Sequence, residues 1–99
     1  MLNISKNQNG EELTFTLEGR LDTTTSPEFE QDMRSSIDGI TSLNIDMKDL
    51  AYISSAGLRV LLSAQKIMNK QGKMVIRNAS EEIIEIFEVT GFCDILTIE

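Results

Sequence analysis

The amino-acid sequence predicts a single α/β domain over residues 1–99, with a mixed five-stranded sheet and the helices mainly on one face. Strand-like and helix-like segments follow in the order β-β-α-β-α-β-α-β, and such alternation favours parallel pairing through right-handed crossovers. The first two strands flank an Asn9-Gly10 turn, which predicts an antiparallel hairpin. Three of the five strands alternate apolar with polar residues, whereas a sheet covered on both faces would be continuously apolar.

The N-terminal part of the chain contains the hairpin, a polar loop and the first helix. The apolar positions of the hairpin are Leu2, Ile4, Leu13, Phe15 and Leu17. A loop is predicted over residues 19–25 (GRLDTTT), after which Ser26 is expected to cap a helix whose first position is Pro27. The buried side of this helix is predicted at helical spacing, at Phe29, Met33, Ile37 and Ile40.

The central part of the chain predicts a strand followed by a long helix. The strand covers residues 43–47, and a short loop over residues 48–53 leads to Ser54-Ser55, where the helix is expected to begin. Gly72 is expected to end it. Its apolar stripe consists of Leu58, Leu61, Leu62 and Met68.

The C-terminal part predicts two short strands and a third helix between them. The first strand covers residues 74–76, and Ser80 then begins a helix with two glutamates in its first turn. Gly91 is expected to end this helix. Its buried side is predicted at Ile83, Ile84 and Phe87, and the fifth strand at Ile95, Leu96 and Ile98.

Composition excludes several classes of partner. The net charge is −7 and the nine basic residues are scattered, so direct binding of nucleic acid is not expected. No apolar segment approaches the ~20 residues of a membrane span, and the polar N-terminus lacks the features of a signal peptide. We therefore expect a cytoplasmic protein without membrane insertion. Cys93 is the only cysteine and is expected to be a small buried hydrophobe.

Composition also argues against catalysis. The chain has no histidine, which removes the usual base of Ser-His-Asp catalysis and the commonest transition-metal ligand. With one cysteine and no histidine a structural zinc site is excluded, and no glycine-rich nucleotide-binding loop occurs. We therefore expect no catalytic residue, no metal and no cofactor.

The most informative segment is MKDLAYISSAGLRVLLSAQ, residues 47–65. Its hydrophobic period changes from two to about 3.6 across Ser54-Ser55, which places two hydroxyl groups at a helix N-terminus. Free backbone N–H groups and the helix dipole favour negative charge at such a position. A serine there can cap the helix or carry a phosphate, and local evidence favours the cap.

Together with the GRLD loop, the ISSAGL junction resembles the domain family shared by sulphate transporters and anti-sigma factor antagonists, the STAS family. The resemblance extends over nearly the whole chain, including FEVTGF at the end of the last helix. It implies a bacterial anti-sigma factor antagonist, which binds an anti-sigma factor, often a serine kinase, and thereby releases a sigma factor. It also implies that phosphorylation of a serine at the junction inactivates the protein and that a metal-dependent serine phosphatase reverses this.

The resemblance can be carried over residue by residue, because the family motif Asp-Ser-(Ser/Thr)-Gly-Leu falls on residues 54–58. It assigns the phosphate to Ser55. Ser54 stands where the family motif has Asp and is the second candidate acceptor. The implied partner-binding residues are Asp22, Ser54, Ser55, Gly57, Leu58 and Arg59.

Three of these residues, Asp22, Gly57 and Leu58, have alternative roles that the sequence leaves open. Asp22 lies near the phosphorylated serine in the family fold, or it only bonds nearby backbone. Gly57 permits close packing of helix on sheet, or it exposes backbone to a partner. Leu58 belongs to the core or contacts a partner, and its helical phase with Leu61 and Leu62 favours the core. Arg59 lies off this stripe and is expected to be exposed and available to a partner.

Two other functions also stay open. One is a constitutive adaptor or small-ligand-binding subunit of a transport or signalling complex. The other, ranked below both, is an esterase-like enzyme that uses Ser55 as nucleophile, although the sequence indicates no base for it.

Overall fold

The structure, a computed structural model, describes residues 2–99. It contains four strands, three α-helices and one 3-10 turn within that range. The elements are β1 (Leu2–Asn9), β2 (Glu12–Leu21), α1 (Ser26–Ser36), β3 (Ser42–Ile53), α2 (Ser55–Gln71), β4 (Lys73–Arg77), α3 (Glu81–Thr90) and the 3-10 turn Phe92–Asp94.

The sheet is mixed, as predicted, and has the strand order β1-β2-β3-β4. β1 and β2 form the antiparallel hairpin, while β2 with β3 and β3 with β4 are parallel pairs. The two parallel pairs require crossover connections, which α1 and α2 provide.

The helices lie on one face of this sheet, as predicted. On that face Phe15, Ile45 and Ile76 are aligned across β2, β3 and β4, and all three are fully buried. They belong to the same core as buried residues of all three helices. Phe15 contacts Phe29 of α1 edge to face, with the ring centroids 5.3 Å apart. The residues that directly precede these three, Thr14, Asn44 and Val75, point to the other face of the sheet. There Asn44 hydrogen-bonds with Glu12 and Arg77.

The predicted fifth strand is not formed, which corrects the strand count from five to four. The N–H groups of Ile95 and Leu96 bond back to the carbonyl of Phe92 at 3.0 and 2.8 Å and close the 3-10 turn. Only the residues after this turn reach β4, where Ile98 forms an isolated parallel bridge with Ile76. The turn also leaves Cys93 exposed, contrary to the prediction that it is buried. Leu96 is buried in the core.

Strands β2 and β3 are both longer than predicted. The segment 19–21, predicted as loop, continues β2 because it pairs with residues 50–53 of β3. Residues 50–53 of β3 were also predicted as loop. In both segments the local sequence does not reveal that the residues pair with another strand. The GRLD loop therefore shrinks to residues 22–25.

The ends of the helices are mostly where the sequence predicts them. Gly72 and Gly91 follow α2 and α3, and Ser80 caps α3. A Cβ on Gly72 would overlap the carbonyl of Thr41, so the close approach of two backbone segments requires glycine there. At α1 the cap residue is Thr25 and not Ser26, which is already helical.

The Thr25 hydroxyl makes no capping bond, because it donates to the Arg20 carbonyl at 2.8 Å. The predicted buried sides are otherwise largely correct, although Leu62 and Ile84 are only half-buried. Within residues 2–99, no helix is long and apolar enough to cross a membrane.

Candidate functional site

The start of α2 is joined to the ends of two neighbouring strands. Leu21, the last residue of β2, pairs in register with Ile53, the last residue of β3. The N–H of Ser54 then donates to the Leu21 carbonyl at 2.9 Å. Asp22 follows Leu21 directly, so the chain brings the GRLD loop and the ISSAGL junction to one corner of the molecule. This is the juxtaposition that the sequence motifs suggested.

The two serines of the junction have different environments. Ser54 has an extended backbone (φ −99°, ψ 176°) and caps α2, with its Oγ accepting from the N–H of Gly57 at 3.5 Å. This bond is long for an N–H to oxygen contact and therefore weak. Ser55 is the first residue of the helix, and its side chain is exposed and makes no hydrogen bond within residues 2–99. The cap is therefore Ser54, and the exposed hydroxyl is that of Ser55.

Gly57 lies at a close contact between α2 and the ends of β2 and β3. A Cβ at this position would come within 2.8 Å of Ile53 Cγ1 and within 2.9 Å of Leu21 Cγ and of the Leu21 carbonyl oxygen. Real side chains do not pack at such distances, so glycine at residue 57 is required by packing. Leu58 is 5% exposed and belongs to the core, whereas Arg59 is exposed. Of this triplet, only Arg59 offers its side chain to solvent.

Asp22 organises the loop that precedes α1. Its Oδ1 accepts from the hydroxyl and the N–H of Thr24 at 2.8 and 3.0 Å and from the N–H of Thr25 at 3.1 Å. The Thr24 hydroxyl is the main cause that lowers the pKa of Asp22 from 3.8 to about 2, and the two backbone N–H groups add to it. The structure records no hydrogen bond within residues 2–99 between Asp22 and Ser55. Asp22 thus bonds nearby backbone, while its role toward a partner stays a prediction.

An arginine–tyrosine pair beside the corner was not predicted from the sequence. Arg20 and Tyr52 are neighbours across β2 and β3, and the Arg20 guanidinium carbon lies 4.5 Å from the centroid of the Tyr52 ring. Both side chains are exposed, and the Nε of Arg20 also lies 3.7 Å from Oδ2 of Asp22. The pair depends on the register of two parallel strands, which no local pattern reveals. Arginine and tyrosine are both enriched among residues that dominate binding energy at protein interfaces.

A cleft of about 280 Å³ lies between the N-terminal parts of α1 and α2. It has charged, hydroxyl and small apolar walls, and it reaches the residue after Ser55. Its lining residues are Thr23, Ser26, Pro27, Glu30, Ala56, Arg59, Val60 and Ser63. Within residues 2–99 no cluster of three or more Cys, Asp or Glu side chains is arranged to hold a metal ion.

The site therefore combines an exposed serine at the first position of a helix with an exposed arginine–tyrosine pair and a cleft. All three are surface features of a small α/β domain. A family model, that of the STAS domain, matches residues 3–99. The protein belongs to the STAS domain family, as the sequence motifs indicated.

Similarity to individual proteins extends over nearly the whole chain. The chain is 30% identical over 98 residues to the anti-sigma-B factor antagonist of Bacillus subtilis, covering 98% of this chain and 90% of that protein. Its fold matches the crystal structure of an anti-sigma factor antagonist from Mycobacterium paratuberculosis with a TM-score of 0.90 at 17% identity, covering 99% and 85% of the two chains. It also matches the phosphorylated form of the Bacillus cell fate determinant SpoIIAA, with a TM-score of 0.77 at 16% identity and coverage of 98% and 91%.

Proposed function

We propose that this protein is an anti-sigma factor antagonist controlled by reversible phosphorylation of Ser55. It binds an anti-sigma factor, which is also its serine kinase, and so releases a sigma factor; a serine phosphatase restores the active form. The similarity to the Bacillus subtilis antagonist over nearly the full length of both proteins supports the binding role. The observation that carries the regulatory part is the exposed hydroxyl of Ser55 at the first position of α2.

The environments of the two serines favour Ser55 over Ser54 as the acceptor. The Oγ of Ser54 is engaged by the N–H of Gly57, and its backbone N–H is bonded to β2. A phosphate on Ser54 would have to be accommodated around this capping bond. A phosphate on Ser55 leaves the cap in place and lies at the positive end of α2, whose first turn contains no acidic residue. The fold should therefore tolerate it.

In this proposal the phosphate acts on the interface and not on the fold. It adds about 1.5–2 negative charges at neutral pH. A partner that closes over the corner formed by β2, β3 and α2 would have to bury these charges against its own surface. Disrupting a buried polar contact of this kind costs roughly 2–5 kcal/mol, which corresponds to about thirty- to several-thousand-fold in affinity.

The proposed partner surface is the exposed rim of this corner. In this surface Ser55 and Arg59 are exposed and would contact the partner. Gly57 and Leu58 are buried and would contribute by holding α2 in position on the sheet. Ser54 and Asp22 are half-buried and hold the corner together through their backbone and side-chain bonds. The pair Arg20–Tyr52 extends the surface along the strand ends.

The test is to incubate the protein with its anti-sigma kinase and ATP and to measure intact mass and fragment ions. We expect the gain of one phosphoryl group on Ser55, retained in Ser54→Ala and lost in Ser55→Ala. Calorimetric titration should then show strong binding of the unphosphorylated protein and weak binding of the phosphorylated one, with unchanged circular dichroism. A phosphate on Ser54, or full affinity after phosphorylation, would contradict the proposal.

A constitutive adaptor or small-ligand-binding subunit is the second candidate, and the cleft between α1 and α2 is the observation that favours it. Its walls carry a cation, a carboxylate and hydroxyl groups, which can orient a small polar ligand. In that case the kinase would add no phosphate, and small polar metabolites would raise the melting temperature. An esterase is not proposed, because no hydrogen bond within residues 2–99 connects the Ser55 hydroxyl to a base.

A further inference from the structure

We propose that Arg59 is the internal partner of a phosphate on Ser55. Its guanidinium would turn back by one helical turn to pair with the phosphate. This inference rests on the proposed function, because it assumes that Ser55 is the modified residue. It goes beyond that function in assigning to Arg59 a change of role: partner contact in the unphosphorylated protein and phosphate contact in the phosphorylated one.

The positions of the two residues on α2 make the pairing possible. Ser55 is the first residue of α2, and Arg59 lies four residues later in the same regular helix. Residues four apart lie on one face of a helix with their Cβ atoms about 5–6 Å apart. An anion N-terminal to a cation at this spacing is the more favourable of the two orientations. Both side chains are exposed, so no packing contact has to break for them to meet.

Arg59 also differs from the other arginines in having no ionic partner. Within residues 2–99, three arginines have a carboxylate within 4 Å: Arg20 with Asp22 at 3.7 Å, Arg34 with Glu30 at 3.1 Å and Arg77 with Glu99 at 3.3 Å. Arg59 takes part in no ion pair and no hydrogen bond there. The protein has a net charge of −7, so carboxylates are more numerous than basic residues. Arg59 nevertheless has no ionic partner within residues 2–99, and it lies one helical turn from Ser55.

Two carboxylates close to this corner, those of Glu30 and Asp22, are already engaged by other groups. Glu30 of α1 lines the same cleft as Arg59, but its Oε2 is bonded to the Arg34 guanidinium. Asp22 of the preceding loop accepts from Thr24 and Thr25. A phosphoserine offers up to two charges and three acceptor oxygens, and an arginine fork binds such a group in a bidentate manner. The phosphate would thus be the strongest ligand within reach of Arg59.

Pairing would make phosphorylation change the surface twice. It adds negative charge at Ser55, and it removes the positive charge of Arg59 from the rim of the cleft. The ratio of affinities between the two forms should therefore depend on Arg59. In Arg59→Gln the unphosphorylated protein loses its contact with the partner and binds more weakly. The phosphorylated protein, in which Arg59 no longer contacts the partner, is affected little. The ratio of the two affinities therefore becomes smaller.

The direct test uses protein in which phosphoserine is incorporated at residue 55 during translation, so that no kinase is needed. The second ionisation of the phosphate is followed by phosphorus NMR as a function of pH. We expect the midpoint in the wild-type sequence to be lower than in Arg59→Gln by about 0.3 pH units, a roughly twofold change in proton affinity. Arg59→Lys should restore part of the difference, because it keeps the charge and loses the fork.

Lys66→Gln is the matched control. It removes one exposed positive charge from the same helix, eleven residues from Ser55 and about 16 Å along the axis. At that distance screening is nearly complete at physiological ionic strength, so its midpoint should equal that of the wild type. Equal midpoints in the wild type and Arg59→Gln would overturn the inference. Equal shifts in Arg59→Gln and Lys66→Gln would overturn it as well, since they would indicate net charge and not pairing.

These outcomes are separate from failure of the proposed function. That function fails if the kinase leaves Ser55 unmodified or if phosphorylation leaves affinity unchanged. The NMR titration reads the contact between Arg59 and the phosphate whether or not a kinase acts. Circular dichroism of each variant establishes that the fold is retained.

Discussion

Two helices of this protein begin with the same capping residue and continue differently. α2 and α3 each follow a serine whose Oγ accepts from the N–H three residues later, at 3.5 Å in α2 and 3.2 Å in α3. The first turn of α3 contains Glu81 and Glu82, whereas the first turn of α2 contains no acidic residue. α3 thus balances the positive end of its dipole with its own side chains, and α2 does not.

The two helix starts also differ in what supports them. The start of α3 is local: cap, glutamates and helix are consecutive in sequence. The start of α2 depends on another strand, because the N–H of Ser54 bonds to Leu21 and Gly57 packs against Leu21 and Ile53. A weak cap is sufficient there because tertiary contacts hold the helix. A helix fixed by its surroundings can therefore leave its N-terminus free of compensating charge, as the proposed phosphate on Ser55 would need.

The largest expected effect comes from the contact that supports α2. Gly57→Ala should lower the free energy of unfolding, because the overlap with Leu21 and Ile53 costs about 1–3 kcal/mol. The better helix propensity of alanine offsets at most about 1 kcal/mol of this. Urea denaturation measures the difference, with Ala56→Gly as a control for propensity alone. A Gly57→Ala variant that is more stable than the wild type by the amount that Ala56→Gly loses would mean that no overlap occurs and that α2 is not fixed by the sheet.

The two caps should differ in strength. Ser80→Ala is expected to cost about 1 kcal/mol, within the usual range for a serine cap, and Ser54→Ala only about 0.5 kcal/mol, because its bond is longer. Ser55→Ala is the matched control at the neighbouring serine, which makes no cap, and should change stability by less than about 0.5 kcal/mol. Equilibrium unfolding of the three variants gives the order directly. A greater loss in Ser55→Ala than in Ser54→Ala would reverse the assignment of the cap.

Charge at the two helix starts should act in opposite directions. Ser55→Asp supplies the missing negative charge and should stabilise the protein by about 0.3–1 kcal/mol at low ionic strength. Glu82→Gln removes such a charge from α3 and should destabilise by a similar amount. Thermal melting at low and high salt measures both, and salt should reduce both effects. If Ser55→Asp destabilises the fold, the phosphate would act by unfolding and not at the interface.

The smallest effect concerns acid and the loop beside α2. The folded state holds the pKa of Asp22 near 2, below its ordinary value of 3.8. The stability that Asp22 contributes is therefore present above pH 3.8 and lost as the pH falls towards 2. Wild type should lose more stability than Asp22→Asn over this window. Parallel pH profiles of the two proteins would show that the loop does not depend on this carboxylate.

The sequence predicts best what is determined locally. The caps and stops at Ser80, Gly91 and Gly72 were correct, because each depends on a few consecutive residues. The lengths of β2 and β3 were wrong, because residues 19–21 and 50–53 form strand only by pairing with each other. The fifth strand was wrong because an alternating apolar pattern was outweighed by a turn that closes on Phe92.

The candidate site follows the same rule. The exposure of Arg59 and the burial of Leu58 follow from helical phase and were predicted. Residues 54 and 55 are both serine, so the sequence alone could not say which of them caps α2. The backbone conformation was needed to identify Ser54 as the cap. The pair Arg20–Tyr52 required the register between two strands that are far apart in sequence.

The bridge between Ile98 and Ile76 bears on self-association. β4 is an edge strand of the sheet, and an unpaired edge strand can pair with a strand from another molecule. The N–H of Ile76 is taken by Thr97 and its carbonyl by Glu99, at 2.8 and 2.9 Å, while Arg77 and Glu99 place a charged pair beside them. β1 is the edge strand on the opposite side, and its second half, residues 5–9, is polar and includes a lysine. The C-terminal residues thus occupy the backbone groups of Ile76, for which a strand from another molecule would have to compete.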